Sequence, residues 1–325
     1  LLEVDSQPII NQNLQQKFIS LKKYFNKKNI KYKNLKLSDQ SIYFQLEIDD
    51  ANKFEKFFLN KDNQYNSYYG TYRSYEMSIF NDNGKIDIEY SKYGIIELQK
   101  SSLEQSLEIV RRRIDEVGTN DPTIITRGND RILIELPGLE DPNRVKKLLG
   151  KTANLTFRLV TESESTFGSE LLSFENSENK LNISKRIILS GDNLVTAKPS
   201  FSNQTNQTVV SFSLDRAGTK KFGRSTTENV GKRLAIILDN KIISAPVINE
   251  PIIGGNGVIS GDFTFQSATD LALLLRSGAL PAPLAIIEER TVGPDLGEDS
   301  IKAGAISLMI GFLLVIIYML YKYRQ

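Results

Sequence analysis

An uncharged apolar run at Ala303–Tyr321, an α-β-β-α-β order of hydrophobic patterns between 104 and 160, and the same order about 90 residues earlier together predict an α+β protein. With a preceding strand, that order is the ferredoxin-like βαββαβ unit. The expected fold class is therefore duplicated ferredoxin-like units with an inserted α/β subdomain and a C-terminal transmembrane helix.

Each element has a local reason. In the N-terminal part, Asn13–Asn29 reads as an amphipathic helix, Lys33–Leu37 and Ser41–Glu47 as strands, and Asp50–Leu59 as a second helix. In the next part, Glu104–Val117 carries Leu107, Ile109, Val110, Ile114 and Val117 near helical spacing, with Ser101 or Ser102 as N-cap and Gly118 as the stop. Pro122–Thr126 and Arg131–Leu136 alternate as strands around Arg127-Gly128-Asn129-Asp130, whose residues suit a hairpin. Asp141–Leu149 follows as a helix with Asp141 at the N-cap, Pro142 at the first position and Gly150 ending it. Leu155–Val160 completes the unit as a strand. Under the shift, Ile42, Phe44 and Leu46 fall on Ile132, Ile134 and Leu136, Phe58 and Leu59 on Leu148 and Leu149, and Ile19 on Ile109.

Residues 161–207, rich in Ser, Glu, Asn and Thr, read as loop-rich connection rather than core. A third pattern begins at Val209–Leu214 (strand) and Asp215–Asn229 (helix). Arg233–Asp239 and Lys241–Val247 form a hairpin around Asp239-Asn240, and Gly257–Phe263 is a strand. Thr269–Arg276 is a helix, and Pro283–Thr291 a strand leading to the apolar run.

At about 1.5 Å per residue that run spans one hydrocarbon core. Lys302 precedes it, Lys322 and Arg324 follow it, and Tyr318, Tyr321 and Tyr323 form an aromatic belt. The basic residues after the span favour a cytoplasmic C-terminus, placing residues 1–300 on the outer face. The first residue, Leu1, and the short tail read as marks of a piece of a longer membrane protein.

Composition excludes much chemistry. The 325 residues include 41 Lys+Arg and 39 Asp+Glu, a net charge of +2, unlike a dedicated nucleic-acid binder. With no Cys there is no disulfide, thiol nucleophile or Cys-based metal site, and with no His the commonest general base is missing. The expectation is no catalytic residue, no cofactor-binding residue, no metal ligand and no enzyme activity. The glycine cluster Gly254–Gly257 opens no helix and reads as a hairpin or hinge loop, not a phosphate cradle. Lys17, Lys22, Lys23, Lys27, Lys28, Lys31, Lys33 and Lys36, interleaved with Tyr24, Phe25 and Tyr32, read as a solvated face. Arg111, Arg112 and Arg113 fan around a helix and are expected to pair with Glu108 or Asp115. Glu288, Glu289, Asp295, Glu298 and Asp299 read as a wet membrane-proximal surface.

Several runs carry a family resemblance. Leu103–Val160 contains Arg113, Gly118, Arg127-Gly128, Asp130-Arg131, Leu136-Pro137-Gly138, Gly150 and Phe157-Arg158 at the spacings of the first outer domain of the SecD family. Asn229–Ala235, Leu274–Leu280, Glu289–Gly297 and Leu1–Asp5 are similar to further stretches of that family. The resemblance implies a six-helix RND-superfamily subunit of the Sec preprotein translocase that uses the proton-motive force to promote late export. It implies an inner-membrane location, with SecF and the SecYEG channel as partners and YajC and YidC as further ones. It also implies an unfolded preprotein as substrate, membrane lipid around the span, and no nucleic acid. Residues 1–98 and 99–160 are then expected as the periplasmic base, 161–258 as a substrate-contacting head, 259–295 as the return to the base, and 303–321 as the membrane helix. Phe212 and Phe222 would offer the head's apolar surface, and Gly254–Gly257 with the loop after Val160 would be hinges. The alternatives are the outer domain of an RND-type solute or lipid exporter and the ligand-sensing outer domain of a membrane receptor.

Overall fold

The computed structural model describes residues 1–38, 40–161, 168–202, 207–290 and 295–323. The chain divides into two units, Leu1–Ile286 and Ile287–Gln325.

The first unit opens with β1 (Leu2–Val4), α1 (Gln7–Lys28), β2 (Lys33–Leu37), β3 (Ser41–Gln45) and α2 (Ile48–Phe58). The short strands β4 (Tyr68–Tyr69) and β5 (Ser74–Tyr75) and the hairpin β6 (Met77–Asp82) and β7 (Lys85–Tyr90) follow. These elements, within 60–98, are additional to the expected ones. α1 begins a turn and a half before the expected Asn13, because Pro8 at its first turn needs no backbone donor. Its buried stripe is Ile10, Leu14, Leu21 and Phe25, whereas Ile19, aligned with Ile109 under the shift, is 46% exposed. β2, β3, β7 and β6 form an antiparallel sheet in that order. Phe25, Phe44, Phe54 and Phe58 pack with Ile42, Ile86 and Ile88 into its core.

A middle sheet follows. α3 (Lys92–Val117) is much longer than Glu104–Val117, since Ser91 rather than Ser101 or Ser102 caps it by accepting from the Gly94 N–H. Ser102 instead returns its hydroxyl to the Leu98 carbonyl (2.7 Å), which hides a polar residue inside the helix. Gly94 is required where it stands: a Cβ there would lie 2.0 Å from the Glu76 carbonyl oxygen. β8 (Thr123–Arg127) and β9 (Arg131–Glu135) form the expected hairpin, with Gly128 at φ +75°, and α4 (Pro142–Gly150) is capped by Asp141. β1 pairs β9 on one side and, on the other, β18 (Leu284–Ile286) from the far end of the unit, giving the order β18-β1-β9-β8. Leu2, Val4, Leu103, Val110, Ile114, Ile132, Leu149 and Leu284 share this core.

Between α4 and β18 an inserted module is built from β10 (Leu155–Val160), β11 (Ser169–Ser173), β12 (Lys180–Ser190), β13 (Leu194–Phe201), β14 (Thr208–Leu214), α5 (Arg216–Glu228), β15 (Leu234–Leu238), β16 (Lys241–Ser244), β17 (Asn256–Phe263) and α6 (Phe265–Ser277). One sheet runs β11-β12-β10-β15-β16 and another β13-β14-β17. Two expectations are corrected here. Leu155–Val160 does not complete the preceding unit; it pairs with β12 and β15, and all five residues Leu234–Leu238 of β15 are buried beside it. Residues 161–207 are not mere connection either: β12 supplies buried Ile183 and Leu189, β13 supplies buried Ala197, and β11 pairs along β12. Each strand needs only one or two apolar residues, because a half-solvated antiparallel strand buries one face and leaves the other polar. The loop after Val160, residues 162–167, lies outside the described residues. α6 starts at Phe265, capped by Thr264, four residues before the expected Thr269. The strand expected over Pro283–Thr291 is confined to Leu284–Ile286.

The second unit contains α7 (Asp295–Tyr323), of which Ile301–Tyr323 has a mean hydropathy of 2.5 and is long and apolar enough to cross a membrane.

Candidate functional site

Among the described residues no group of three or more His, Cys, Asp or Glu is placed to hold a metal ion. Most of the positions singled out from sequence stay dispersed. Lys22, Lys23, Lys27, Lys28, Lys31, Lys33 and Lys36 are exposed, while Lys17 pairs with Glu76 at 2.7 Å. Glu288 pairs with Arg290 at 2.8 Å, and the side chains of Asp295, Glu298 and Asp299 lie outside the described part. Phe212 and Phe222 are 4% and 2% exposed and pack on Phe157, so they are core rather than a contact surface. The aromatic pair that does face out is Phe201 and Phe265, 61% and 56% exposed, whose rings stack with centroids 6.0 Å apart. At Gly254–Gly257 the backbone is tightly packed: Gly255 is buried at φ +71°, and a Cβ on Gly257 would meet the Phe212 ring at 2.5 Å.

What the fold does bring together is the pair of chain passes joining the inserted module to the middle sheet. The outgoing pass is 150–154 and the returning one 277–283, and they lie side by side, with the Leu280 N–H donating to the Thr152 carbonyl at 2.8 Å. Arg113 sits between them. Of the arginine run, Arg111 pairs with Glu108 as expected (2.9 Å), but Arg113 is fully buried on the inner face of α3. Its guanidinium donates to the carbonyls of Leu148 (2.7 Å), Lys151 (2.5 Å), Thr152 (3.3 Å) and Gly278 (3.2 Å). These oxygens lie at the C-terminal ends of α4 and α6, where helix carbonyls lack intrahelical partners and the dipole favours a cation. One planar, multi-donor group thus caps two helices and pins both passes, which an ammonium does not do. Burial lowers the Arg113 pKa to about 10, against the opposing pull of the Asp239 charge, so the group remains a cation at neutral pH.

Asp239, at the expected turn between β15 and β16, closes the arrangement from the other side. Its carboxylate accepts from the Thr152 hydroxyl, the Ala153 N–H (3.1 Å) and the Asn154 N–H (2.8 Å), and its own N–H donates to the Asn154 carbonyl (3.1 Å). Around this pivot two ion pairs tie the module to α3 and α4, and a third joins it to the outgoing pass. Arg276 of α6 grips Glu116 of α3 through two hydrogen bonds of 3.0 and 2.5 Å and donates to the Ala197 carbonyl at 2.6 Å. Arg144 meets Asp270 at 2.8 Å, and Lys151 meets Glu175 at 3.0 Å. The Arg276 hydrogen bond holds the Glu116 carboxyl below its usual range. Sequence reasoning missed this junction. Its one legible signal in the pattern was an arginine on the apolar face of a helix, in register with Val110 and Val117.

Comparison with known proteins matches two parts of the chain. Residues 169–282 match a family model described as the SecDF P1 head subdomain, and residues 103–162 one described as the N-terminal P1 domain of the protein translocase subunit SecDF. The "Protein translocase subunit SecD" of Rickettsia bellii is 42% identical over 332 aligned positions, covering 99% of this chain and 62% of that protein. The SecD of Acetobacter pasteurianus is 48% identical over 251 positions, 75% of this chain and 48% of that protein. A solved SecDF structure described as "a membrane component SecDF that enhances protein export" superposes with a TM-score of 0.50 at 34% identity, covering 59% of this chain and 94% of that one. SecDF in a super-membrane-facing form gives 0.52 at 34% identity, over 68% of this chain and 32% of that one.

The matches therefore define a protein of the SecDF class with P1-type domains, and the chain carries a helix long and apolar enough to cross a membrane. The chain belongs to the SecD family of protein translocase subunits. It spans 62% of the length of the Rickettsia relative.

Proposed function

We propose that this chain is the outer-face, preprotein-handling part of a SecD-type subunit, working with SecF at the SecYEG channel in the late, proton-motive-force-dependent steps of export. The body faces the periplasm and the residues after α7 the cytoplasm, in keeping with the basic residues that follow the span. The head is read as 151–280, between the two passes, and the base as the remainder of the first unit. Within that base, both four-stranded sheets are read as ferredoxin-like units that exchange first strands. β1 precedes α1 yet pairs in the middle sheet, and β7 precedes α3 yet pairs in the N-terminal one, and either sheet then has the strand order 4-1-3-2.

The observation that carries the reading is the junction: an entire module hung on two adjacent passes, pinned at Arg113 and fastened by half-exposed ion pairs. Such a geometry favours rigid-body movement of head on base with the pivot intact. Exposed Phe201 and Phe265 supply the head's sequence-tolerant contact in place of Phe212 and Phe222.

A crosslink tests this, and this chain itself carries no cysteine to compete with it. In Glu116→Cys/Arg276→Cys, oxidation is expected to slow the export of a preprotein in inverted-vesicle or whole-cell assays, and reduction to restore it. Export at the wild-type rate with the crosslink fully formed rules out the head movement.

A further inference from the structure

The loop 60–76, outside both matched family models, reads NKDNQYNSYYGTYRSYE. It contains Tyr65, Tyr68, Tyr69, Tyr72 and Tyr75, no aliphatic side chain, and a balanced charge, Lys61 and Arg73 against Asp62 and Glu76. This is the Tyr, Asn, Ser and Gly mixture of surfaces that bind varied partners with rigid amphipathic rings.

The loop is built rather than loose. The Asn66 side chain, fully buried, donates to the carbonyls of Phe58 (3.3 Å) and Met77 (3.1 Å) and accepts the Met77 N–H (2.8 Å). Asn63 likewise donates to the Phe57 carbonyl (2.8 Å) and accepts the Tyr65 N–H (2.8 Å). The Ser91 hydroxyl, at the cap of α3, donates to the Tyr75 carbonyl at 2.6 Å. On this support the rings form a platform. Tyr72 stacks on Tyr93 of α3 with centroids 4.7 Å apart and donates to Glu97 (2.8 Å), Tyr69 meets Tyr72 edge-on at 6.5 Å, and Tyr68 meets Tyr75 at 5.0 Å with the Lys61 ammonium 4.7 Å above it. Burial and the carboxylates of Glu76 and Glu97 raise the Tyr69 pKa to about 12.

The platform also offers a strand edge. β4 and β5 form a two-stranded ribbon, extended by the Glu76 N–H to the Ser67 carbonyl (2.8 Å), and no third strand pairs with it among the described residues. Such an edge fits a peptide backbone, and flanking rings accommodate apolar side chains without demanding a sequence. The balanced charge gives no pull towards a polyanion such as a nucleic acid or an acidic lipid surface.

We infer that the Tyr68–Tyr69 edge and its tyrosine platform are a second polypeptide-contact surface, taking an uncharged extended segment by strand addition. The substrate class rests on the translocase reading above; the site does not depend on the head. Because few rings take part and the edge is two residues long, binding is weak and rapidly reversible, as a chain in transit requires.

The test uses the full chain in detergent and a fluorescein-labelled, uncharged, unstructured peptide of about 20 residues. Tyr68→Ala/Tyr69→Ala/Tyr72→Ala is expected to weaken binding about tenfold, and Tyr68→Ala alone about threefold with an unchanged unfolding midpoint. A benzoylphenylalanine at position 68 crosslinks the peptide. Binding unchanged in both variants, no crosslink at 68, or displacement from the platform by an N-acetylglucosamine oligomer but not by unlabelled peptide overturns the inference. The same photoprobe at position 201 reads the head separately: loss at 201 alone strikes the head contact, and loss at 68 alone strikes this one.

Discussion

Replacing Arg113 with methionine keeps the length and apolar stem of the side chain and removes the guanidinium from the junction. Of its four acceptors, the Thr152 carbonyl retains the Leu280 N–H, whereas those of Leu148, Lys151 and Gly278 lose the cation that caps them. An unsatisfied buried acceptor costs roughly 1–3 kcal/mol, so the loss is about 3–9 kcal/mol. Against this stands the relief of burying a cation. The fall of the Arg113 pKa from 12.5 to about 10 corresponds to about 3 kcal/mol. The net is about 0–6 kcal/mol of destabilisation, centred near 3, which overlaps the range for removing one member of a buried charge cluster. Urea unfolding of the full chain in detergent measures it, and limited proteolysis is expected to begin at 150–154. Arg113→Lys is expected to recover part of the loss, since one ammonium reaches fewer of the carbonyls than the planar guanidinium. A gain in stability, or proteolysis no faster at the junction than elsewhere, refutes the assignment of Arg113 as the pin of both passes.

Two further outcomes are expected. Glu116 has a folded pKa below its usual 4.5, so its contribution is fully present above that pH and disappears as pH falls through the lowered value. Hydrogen exchange around 114–118 and 273–277 should therefore accelerate selectively on acidification below the ordinary glutamate range, and Glu116→Gln should remove that pH response while weakening the contact at neutral pH. In the apolar helix, Leu313→Arg places a charge near the middle of the span at a cost of about 2.5–3.5 kcal/mol, and the alkali-resistant membrane fraction should fall accordingly; an unchanged fraction refutes a spanning role.

Where the relevant forces are local, the sequence was legible. The Asp239-Asn240 turn, the Asp141 cap with Pro142, the Arg127–Asp130 hairpin and the apolar run each depend on residues within a few positions of one another. The strands β11 to β13 were missed for the converse reason. Their apolar content is low, and they are strands because neighbours already in the sheet pair with them. Residues 60–98 show the same effect: Asn66, polar and unremarked in the chain, organises its loop only because Phe58 and Met77 converge on it. The resemblance suggests Phe212 and Phe222 as the head's apolar surface, but the core closes over them.

By itself the chain determined its helical faces, its tight turns, its lack of thiol and imidazole chemistry, and one stretch that water cannot favourably solvate. Only the tertiary structure decided that Arg113 and Gly278, 165 residues apart, share a hydrogen bond, and that the first strand lies against the last. Local preference acts over a turn or a hairpin, whereas capping two helices with one buried cation requires both of their ends to be in place at once.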